Sequence, residues 1–569
     1  MTQNPIWSLP PEPPPEKIAD LAVSLSVPPL IARLLWRRGI RDSEGGERFL
    51  RPSLEHLHDP FLLTGMEAAV ERILRAFEED ETIGIFGDFD VDGVTSAALL
   101  DRVFRRIARP PVCRLPHRLN EGYGLSRAAV EDLAGAGVRL LITVDSGVTS
   151  HDSIAYARGL GLDCIITDHH ETKEKLPDAL AVIDPKQAGC EYPDPNLVGV
   201  GLAWKLADAL ASRGAGERDD LLADLDLVAV GTVADVAPLN GENRVLVREG
   251  LARLGGTEKP GLRHLIRVAG FAGREVDYAA IAFGLAPRLN AAGRIADPAV
   301  ALELLTTESE ERAAQLAFDL DRANQERKVL DASTLQEALA RLGGEKDPGA
   351  IVLASPDWHP GVIGIVASRL KEMFGRPAVL IALDGGVGRG SARSLSGFPL
   401  HEALERCSDL LLRHGGHALA AGLSIEEERI EPFRERFRAL FREVEDEVSS
   451  PGSLTIEGAL GLEECDRTLF EAIGVLRPFG PGNRKPIFLA QGVTAPEGFR
   501  RVGRNHLKFR AGRDGLLMDA IAFQVGHEAA DRWREWGALD LAFTLEENRW
   551  GGETRLQLNV KGVRPGRTA

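Results

Sequence analysis

Short apolar runs, each followed by an acidic residue, set the pattern of the first half of the chain. Residues 83–86, 140–144, 164–167 and 227–233 are almost continuously apolar and rich in β-branched side chains, as strands of a parallel sheet covered on both faces are. Such runs alternate with helical patterns from 68 to 305, with Gly-rich turns at 135–137 and 159–161, which predicts a doubly wound α/β domain. Residues 308–342 are polar and rich in Ala and Leu; Thr307 and Glu310 have capping-box spacing, and Gly343 and Gly344 stop the pattern. As one helix, its 35 residues would span about 52 Å, long enough to bridge domains. A smaller α/β unit follows, with IVLA and AVLIAL as strands and 362–374 as a helix. After an acidic and Ser-Pro-Gly linker, alternation such as Leu541, Phe543, Leu545 and Leu556, Leu558, Val560 predicts an all-β barrel, with an OB-fold as first choice. The Pro-rich start reads as extended, and 31–63 as a short helix with Pro-broken turns capping the next domain. The expected division is therefore 1–67 cap, 68–305 α/β domain, 306–345 connecting helix, 346–446 second α/β domain and 447–569 barrel.

Length and composition narrow the setting. A chain of 569 residues exceeds one core and suggests about three or four domains. No apolar stretch reaches the roughly 18 to 20 residues of a membrane span. The start, MTQNPIWSLPPEPPPEK, carries acids and prolines where a secretory signal has a basic and an apolar region, so a cytoplasmic location is expected. The five cysteines are scattered without a CxxC pair, which argues against a disulfide framework and a structural zinc site. A net charge of −17 disfavours a polyanionic partner at first sight. Part of that charge, however, sits in a cluster that bound cations would invert.

That cluster consists of Asp88, Asp90 and Asp92 in GDFDVDG, Asp145 in VDSG, Asp168, His169 and His170 in TDHH, and Asp235 in VADV. Acids just past strand ends converge on one crevice of an open α/β sheet, and several unpaired carboxylates there repel one another unless a cation neutralises them. GDFDVDG is not an EF-hand: its twelfth position, which needs a bidentate Glu, is Leu99, and the flanks read strand then helix. The alternative is a strand-end turn presenting carboxylates to hard cations, with Thr95 and Ser96 opening a helix whose amino end could receive a phosphate oxygen. Of the two histidines, one can ligate metal while the other moves protons or holds a phosphate oxygen. In the tail, Arg500, Arg501, Arg504, Lys508, Arg510 and Arg513 interleave with Phe499 and Phe509. That mixture suits single-strand binding, or equally an exposed barrel face with buried Phe residues.

GDFDVDG, VDSG, DHH and GTVAD, in this order, resemble the four motifs of the DHH phosphoesterase superfamily, and within it those of its single-stranded-DNA exonucleases. The likeness extends to LPHRLNEGYG, PRLNAAGR, WHPGVIGIVASRL, GSARS, HGGHALAAG and PFGPGNRKPIF, and so over nearly the whole chain. Arg484, where Pro is expected after PFGPGN, is a small departure. The resemblance implies a DHH domain, a second domain of DHHA1 type and a C-terminal OB-fold. It implies Mn²⁺ or Mg²⁺, two ions, held by Asp90, Asp92, Asp145, His169 and Asp235, with Asp88 as a further ligand or an acid behind the ligands. Asp145 would bridge the ions, His170 would contact the scissile phosphate or relay a proton, and Asp168 would orient the pair. Arg118, Arg294 and Arg393 lie within the motifs, where a planar fork can grip phosphate. Ser391, Arg393, the backbone of Gly415 and Gly416, and His417 would close over substrate and recognise a 5′ end. His359 and His414 carry no assignment.

The implied activity is 5′ to 3′ hydrolysis of single-stranded DNA in repair and recombination, with a helicase and a single-strand-binding protein as candidate partners. Two alternatives stand beside it: a phosphodiesterase for short oligonucleotides or cyclic dinucleotides, and a non-catalytic single-strand-binding scaffold.

Overall fold

A computed structural model of the chain describes residues 6–566 apart from 118–120, 123, 173–174, 345–348, 447, 449–452, 504, 527 and 551–552. Five parallel strands form the first sheet, in the order Val112–Arg114, Thr82–Gly87, Val138–Val144, Asp163–Thr167, Ala181–Ile183. Alternate side chains feed two cores. Ile83, Ile85, Leu140, Ile142 and Ile165 pack on one face, and Phe86, Leu141, Cys164 and Ile166 on the other. Burial on both faces explains the unbroken apolar runs. The chain leaves Thr82–Gly87 to one side and returns on the other at Val138–Val144, so the strand order reverses between them. The crevice outside the carboxyl ends at such a reversal is where open α/β sheets bind ligands.

Strand and helix stop alternating after Ile183, and residues 199–306 are predominantly helical. The run 227–233 is therefore not a strand: it lies in the helix Leu225–Ala234, which is buried from Leu225 to Val233. That helix packs between Gly241–Leu254 and Val91–Arg106. An enclosed helix is apolar all round, so its residues carry no 3.6-residue stripe to distinguish it from a buried strand.

The connecting helix is Glu310–Arg341, 32 residues or about 48 Å. Its N-cap is Ser309, whose hydroxyl accepts from the Arg312 N–H at 3.3 Å, rather than Thr307; Gly343 and Gly344 follow at φ +61° and +81°. It packs against Pro260–Val268 and Ala286–Ile295 in the first domain and Ile363–Phe374 in the second. The second sheet runs Arg413–Gly416, Ala420–Glu426, Val387–Arg393, Ala378–Asp384, Ile351–Ser355, with only the last pair parallel.

In the tail, strands Phe488–Val493, Leu539–Trp550, Glu553–Pro565, Leu516–Ala522 and His506–Arg513 are neighbours in that order. A Thr494–Gly512 bridge joins the last back to the first. This closed order is that of an OB-fold. The N-terminal helices Pro15–Leu25 and Pro29–Arg37 bury Ile18, Leu21, Leu25, Ile31, Leu34 and Leu35 in the barrel's core, and Ile6–Ser8 pairs with Ser453–Thr455. They complete the barrel instead of capping the first domain, whose core takes Leu54, Leu57, Phe61, Leu63 and Met66 of the described residues in this region. An amphipathic pattern predicts a buried face but not its partner.

Barrel and first domain are joined through Arg244, which is 2 % exposed. It donates to the carbonyls of Phe49, Leu476, Arg477 and Pro478. Buried Asn483 accepts from Arg38 Nε at 2.7 Å and donates to Leu476 and Pro478. Arg484 takes part through its backbone carbonyl, which accepts from Arg38; the side chain is exposed, so the departure from Pro leaves the joint intact. All five cysteines are free thiols. Among the described residues no single helix is long and apolar enough to cross a membrane.

Candidate metal centre and phosphate-facing module

Asp88, Asp145 and Asp168 stand just beyond their strands and are buried. Asp90 caps the helix Val91–Arg106, accepting from the backbone N–H groups of Asp92 and Gly93. Asp92, in the first turn, points across to the helix Gly199–Ser212 and accepts from Gly199 at 2.7 Å and Val200 at 2.8 Å. Two close approaches need glycine. A Cβ on Gly93 would lie 2.5 Å from the Asp88 backbone, and one on Gly199 2.5 Å from the Asp145 Cβ. Asp145 itself has φ +56° and Val236, beside Asp235, φ +63°. Left-handed backbone at non-glycine residues stores strain, and it concentrates at functional sites.

Among the described residues, three overlapping groups have potential ligand atoms mutually within 4.8 Å: Asp88, Asp90, Asp145; Asp145, His169, His170; and Asp92, His169, Asp235. Asp145 and His169 link them, with His169 Nε2 3.0 Å from an Asp145 oxygen and 3.7 Å from one of Asp92. Asp235 joins this set from the end of a helix rather than a strand.

Asp168 stands behind the histidines. It accepts from the N–H groups of Val148, His169 and His170 and from His170 Nδ1 at 2.7 Å, which turns the other ring nitrogen of His170 away from it.

Electrostatics follow from this crowding. Burial, with repulsion from Asp92, Asp90, Asp88 and Asp168, holds the Asp145 carboxyl well above the usual range. Burial, Asp235 and Asp90 do the same to Asp92 against two backbone hydrogen bonds. Burial and Asp90 push Asp235 up to about 7. For His169, burial and neighbouring His170 push the ring down to about 3, keeping it a neutral ligand. For His170, burial opposes the charged form, but the Asp168 hydrogen bond and charge outweigh it and raise the ring to about 9. Carboxylates this reluctant to ionise together, mixed with a neutral imidazole, are a donor set that divalent cations would complete.

The second domain faces this crevice. The His417 ring stacks on that of His170, with centroids 6.4 Å apart and planes at 13°. Ser391 and Arg393 alternate on one strand and are joined by a 3.1 Å hydrogen bond from Arg393 Nη1. A Cβ on Gly364, in the first turn of Ile363–Phe374, would lie 2.8 Å from Ser391 Oγ and 3.1 Å from Arg393 Nη2. Hydroxyl, guanidinium and helix amino end thus converge, as at anion sites. Arg294, ending the helix Ala286–Ile295, donates to the Gly361 carbonyl at 3.3 Å, across to the second domain. Gly415 and Gly416 lie on the short strand just before His417, Gly416 with φ +140°. Arg118 lies outside the described residues, as does Arg504 of the tail.

In the barrel, Phe499 and Phe509 pack on each other and on Trp533. Phe509 belongs to the core and Phe499 lies half-buried against it, while Arg500, Arg501, Arg510 and Arg513 are exposed. Sequence reasoning passed over Asp184, wholly buried after Ala181–Ile183, although an apolar run ending in Asp is the signal that marked Asp145.

Comparison with known proteins agrees with this arrangement. Residues 82–232 match the DHH family N-terminal domain, 347–443 the DHHA1 domain and 456–562 the RecJ OB domain. The single-stranded-DNA-specific exonuclease RecJ of Salmonella typhimurium is 37% identical over 97% of this chain and 98% of its own. The crystal structure of Thermus thermophilus RecJ with Mn²⁺ superposes with TM-score 0.85 at 32% identity, over 99% of this chain and 80% of that one. Its Mg²⁺ counterpart gives TM-score 0.79 at 30% identity, over 99% and 79%. With the DHH domain, the DHHA1 domain and the OB barrel all matched along one chain, the protein belongs to the RecJ family.

Proposed function

We propose that the chain is a metal-dependent exonuclease that degrades single-stranded DNA from its 5′ end, releasing nucleotides. The observation that carries this reading is the linked donor set: Asp145 and His169 each belong to two of the three groups, under a second domain that reaches the site through His417. Asp88, Asp90 and Asp145 would hold one Mn²⁺ or Mg²⁺, and Asp92, His169 and Asp235 the other, with Asp145 shared. Two such ions supply an activated water and neutralise charge on the phosphodiester.

The chain's own groups do the rest. Asp168 fixes the His170 ring through Nδ1, which turns Nε2 away from Asp168. His170, held by Asp168, donates to a phosphate oxygen or gives a proton to the departing O3′ as water oxygen bonds to phosphorus and the P–O3′ bond breaks. Ser391, Arg393 and the amino end of Ile363–Phe374 hold the terminal 5′ phosphate, with the Gly415 and Gly416 backbone and His417 closing over it. Arg118 and Arg294 grip phosphates in the same path. The barrel holds the strand beyond, acting through backbone charge rather than through Phe499 and Phe509. Relatives named for this activity, nearly full-length and 37% identical, support the substrate. Action in the cytoplasm, in repair and recombination, beside a helicase and a single-strand-binding protein completes the reading.

The test uses one oligonucleotide labelled in turn at each end, with Mn²⁺. Loss of the 5′ label as mononucleotide from the first turnover supports the proposal. Attack from the 3′ end, or cleavage limited to di- and trinucleotides, would overturn it.

A further inference from the structure

Lys186 stands where the edge of the catalytic sheet meets the metal centre. In the parallel pairing of the last two strands, Thr167 is opposite Ile183. His170 and Lys186 each lie three residues beyond that pair, so the lysine emerges beside the histidine. Side chains confirm the adjacency: Lys186 Nζ is 3.3 Å from an oxygen of Glu171, the residue after His170, and Thr172 Oγ1 donates to the Lys186 carbonyl at 3.4 Å.

The turn that carries the lysine is fixed from both sides. Buried Asp184 accepts from the Lys186 N–H at 2.7 Å, and Gln187 Nε2 donates to the carbonyls of Val182 at 2.8 Å and Thr64 at 3.3 Å. Pro185 removes a further degree of freedom. Only the side chain beyond Cβ is free to move. Among the described residues its ion-pair partner is Glu171, 75% exposed, and such a pair is weak and easily exchanged for a phosphate.

We propose that Lys186 leaves Glu171 on substrate binding and contacts a non-bridging phosphate oxygen of the strand at the metal centre, as a further substrate-binding residue for the reaction. This rests on the exonuclease reading above. An ammonium suits the place because it acts as a mobile point charge, needing no planar fork. The carboxylates of the metal centre would repel a polyanion, and the lysine adds a positive charge beside them.

The experiment uses the full chain with Lys186→Met and Lys186→Arg. Strand binding is measured with Ca²⁺ in place of Mn²⁺ over a range of salt, turnover with Mn²⁺, and Mn²⁺ affinity by calorimetry. Loss of one phosphate contact reduces the slope of log K against log[salt] by about 0.7 for a single strand. We expect that reduction in Lys186→Met, a fall in kcat/KM of at least tenfold, unchanged Mn²⁺ affinity and substantial rescue by Lys186→Arg. An unchanged salt slope overturns the inference, as does a loss of activity accounted for by weakened Mn²⁺ binding. If the unsubstituted chain does not digest single strands, the exonuclease reading itself fails, a result separate from any effect of the substitutions.

Discussion

The imidazole of His417, from the second domain, lies parallel to that of His170, from the first, with ring centroids 6.4 Å apart. The residue fixed by Asp168 is therefore also the one the other domain covers. Substitution His417→Ala should leave the metal centre intact but open its roof. Kinetics on a 5′-labelled strand should show kcat/KM lower by about 10- to 100-fold, the scale of a misplaced reacting group. The increase in melting temperature on adding Mn²⁺ should match that of the unsubstituted chain.

Glycine at 199 is a steric requirement of the site. A Cβ there would sit 2.5 Å from that of Asp145, so Gly199→Ala must displace the shared carboxylate. A stability cost of about 1–3 kcal/mol is expected from the overpacking, together with loss of most of the Mn²⁺-induced thermal shift. Gly159→Ala provides the control: nothing lies within 4 Å of its added methyl, and both properties should be unchanged or slightly improved.

Proton linkage gives a third expectation. Asp235 is raised to about 7 and His170 to about 9, each above its unfolded value. In the metal-free protein the folded state therefore keeps protons that the unfolded chain has released, and stability falls as pH rises through this window. Melting temperature measured in EDTA should drop from about pH 4 to 7 as Asp235 titrates and on to about pH 9 as His170 does. Because ions bind the deprotonated carboxylates, the gain on adding Mn²⁺ should grow mainly below about pH 7, where Asp235 gives up its proton. A flat metal-free profile would count against the crowded-carboxylate description.

Much of the catalytic sheet was legible from its sequence, for a physical reason. Strands covered on both faces must be apolar throughout, so the runs before Asp88, Asp145 and Asp168 announced themselves. The run before Asp235 carried the same signal and is a helix, because a fully enclosed helix also loses its polar stripe. Its acid still reaches the site, since Leu225–Ala234 packs against Val91–Arg106, which carries Asp92. Pairings across domains were not legible: nothing local links His417 to His170, or Ile31 and Leu34 to the barrel they fill. Phe499 and Phe509 show the same limit, since an alternating aromatic reads alike whether it faces a base or Trp533.

The joint between barrel and first domain depends on one buried guanidinium. Arg244→Met would leave the carbonyls of Phe49, Leu476, Arg477 and Pro478 without their donor, at a cost of about 2–4 kcal/mol. The urea midpoint should fall accordingly, with cleavage per folded molecule much less affected than by His417→Ala. A midpoint within experimental error of the unsubstituted chain would show that the joint is held elsewhere.

The proposed reaction turns on two ions sharing the Asp145 carboxylate. Anomalous diffraction from crystals soaked in Mn²⁺ measures this directly. Two manganese peaks are expected, both within coordination distance of Asp145, one beside Asp88 and Asp90 and the other beside His169 and Asp235. A single peak, or two peaks of which only one touches Asp145, would contradict it.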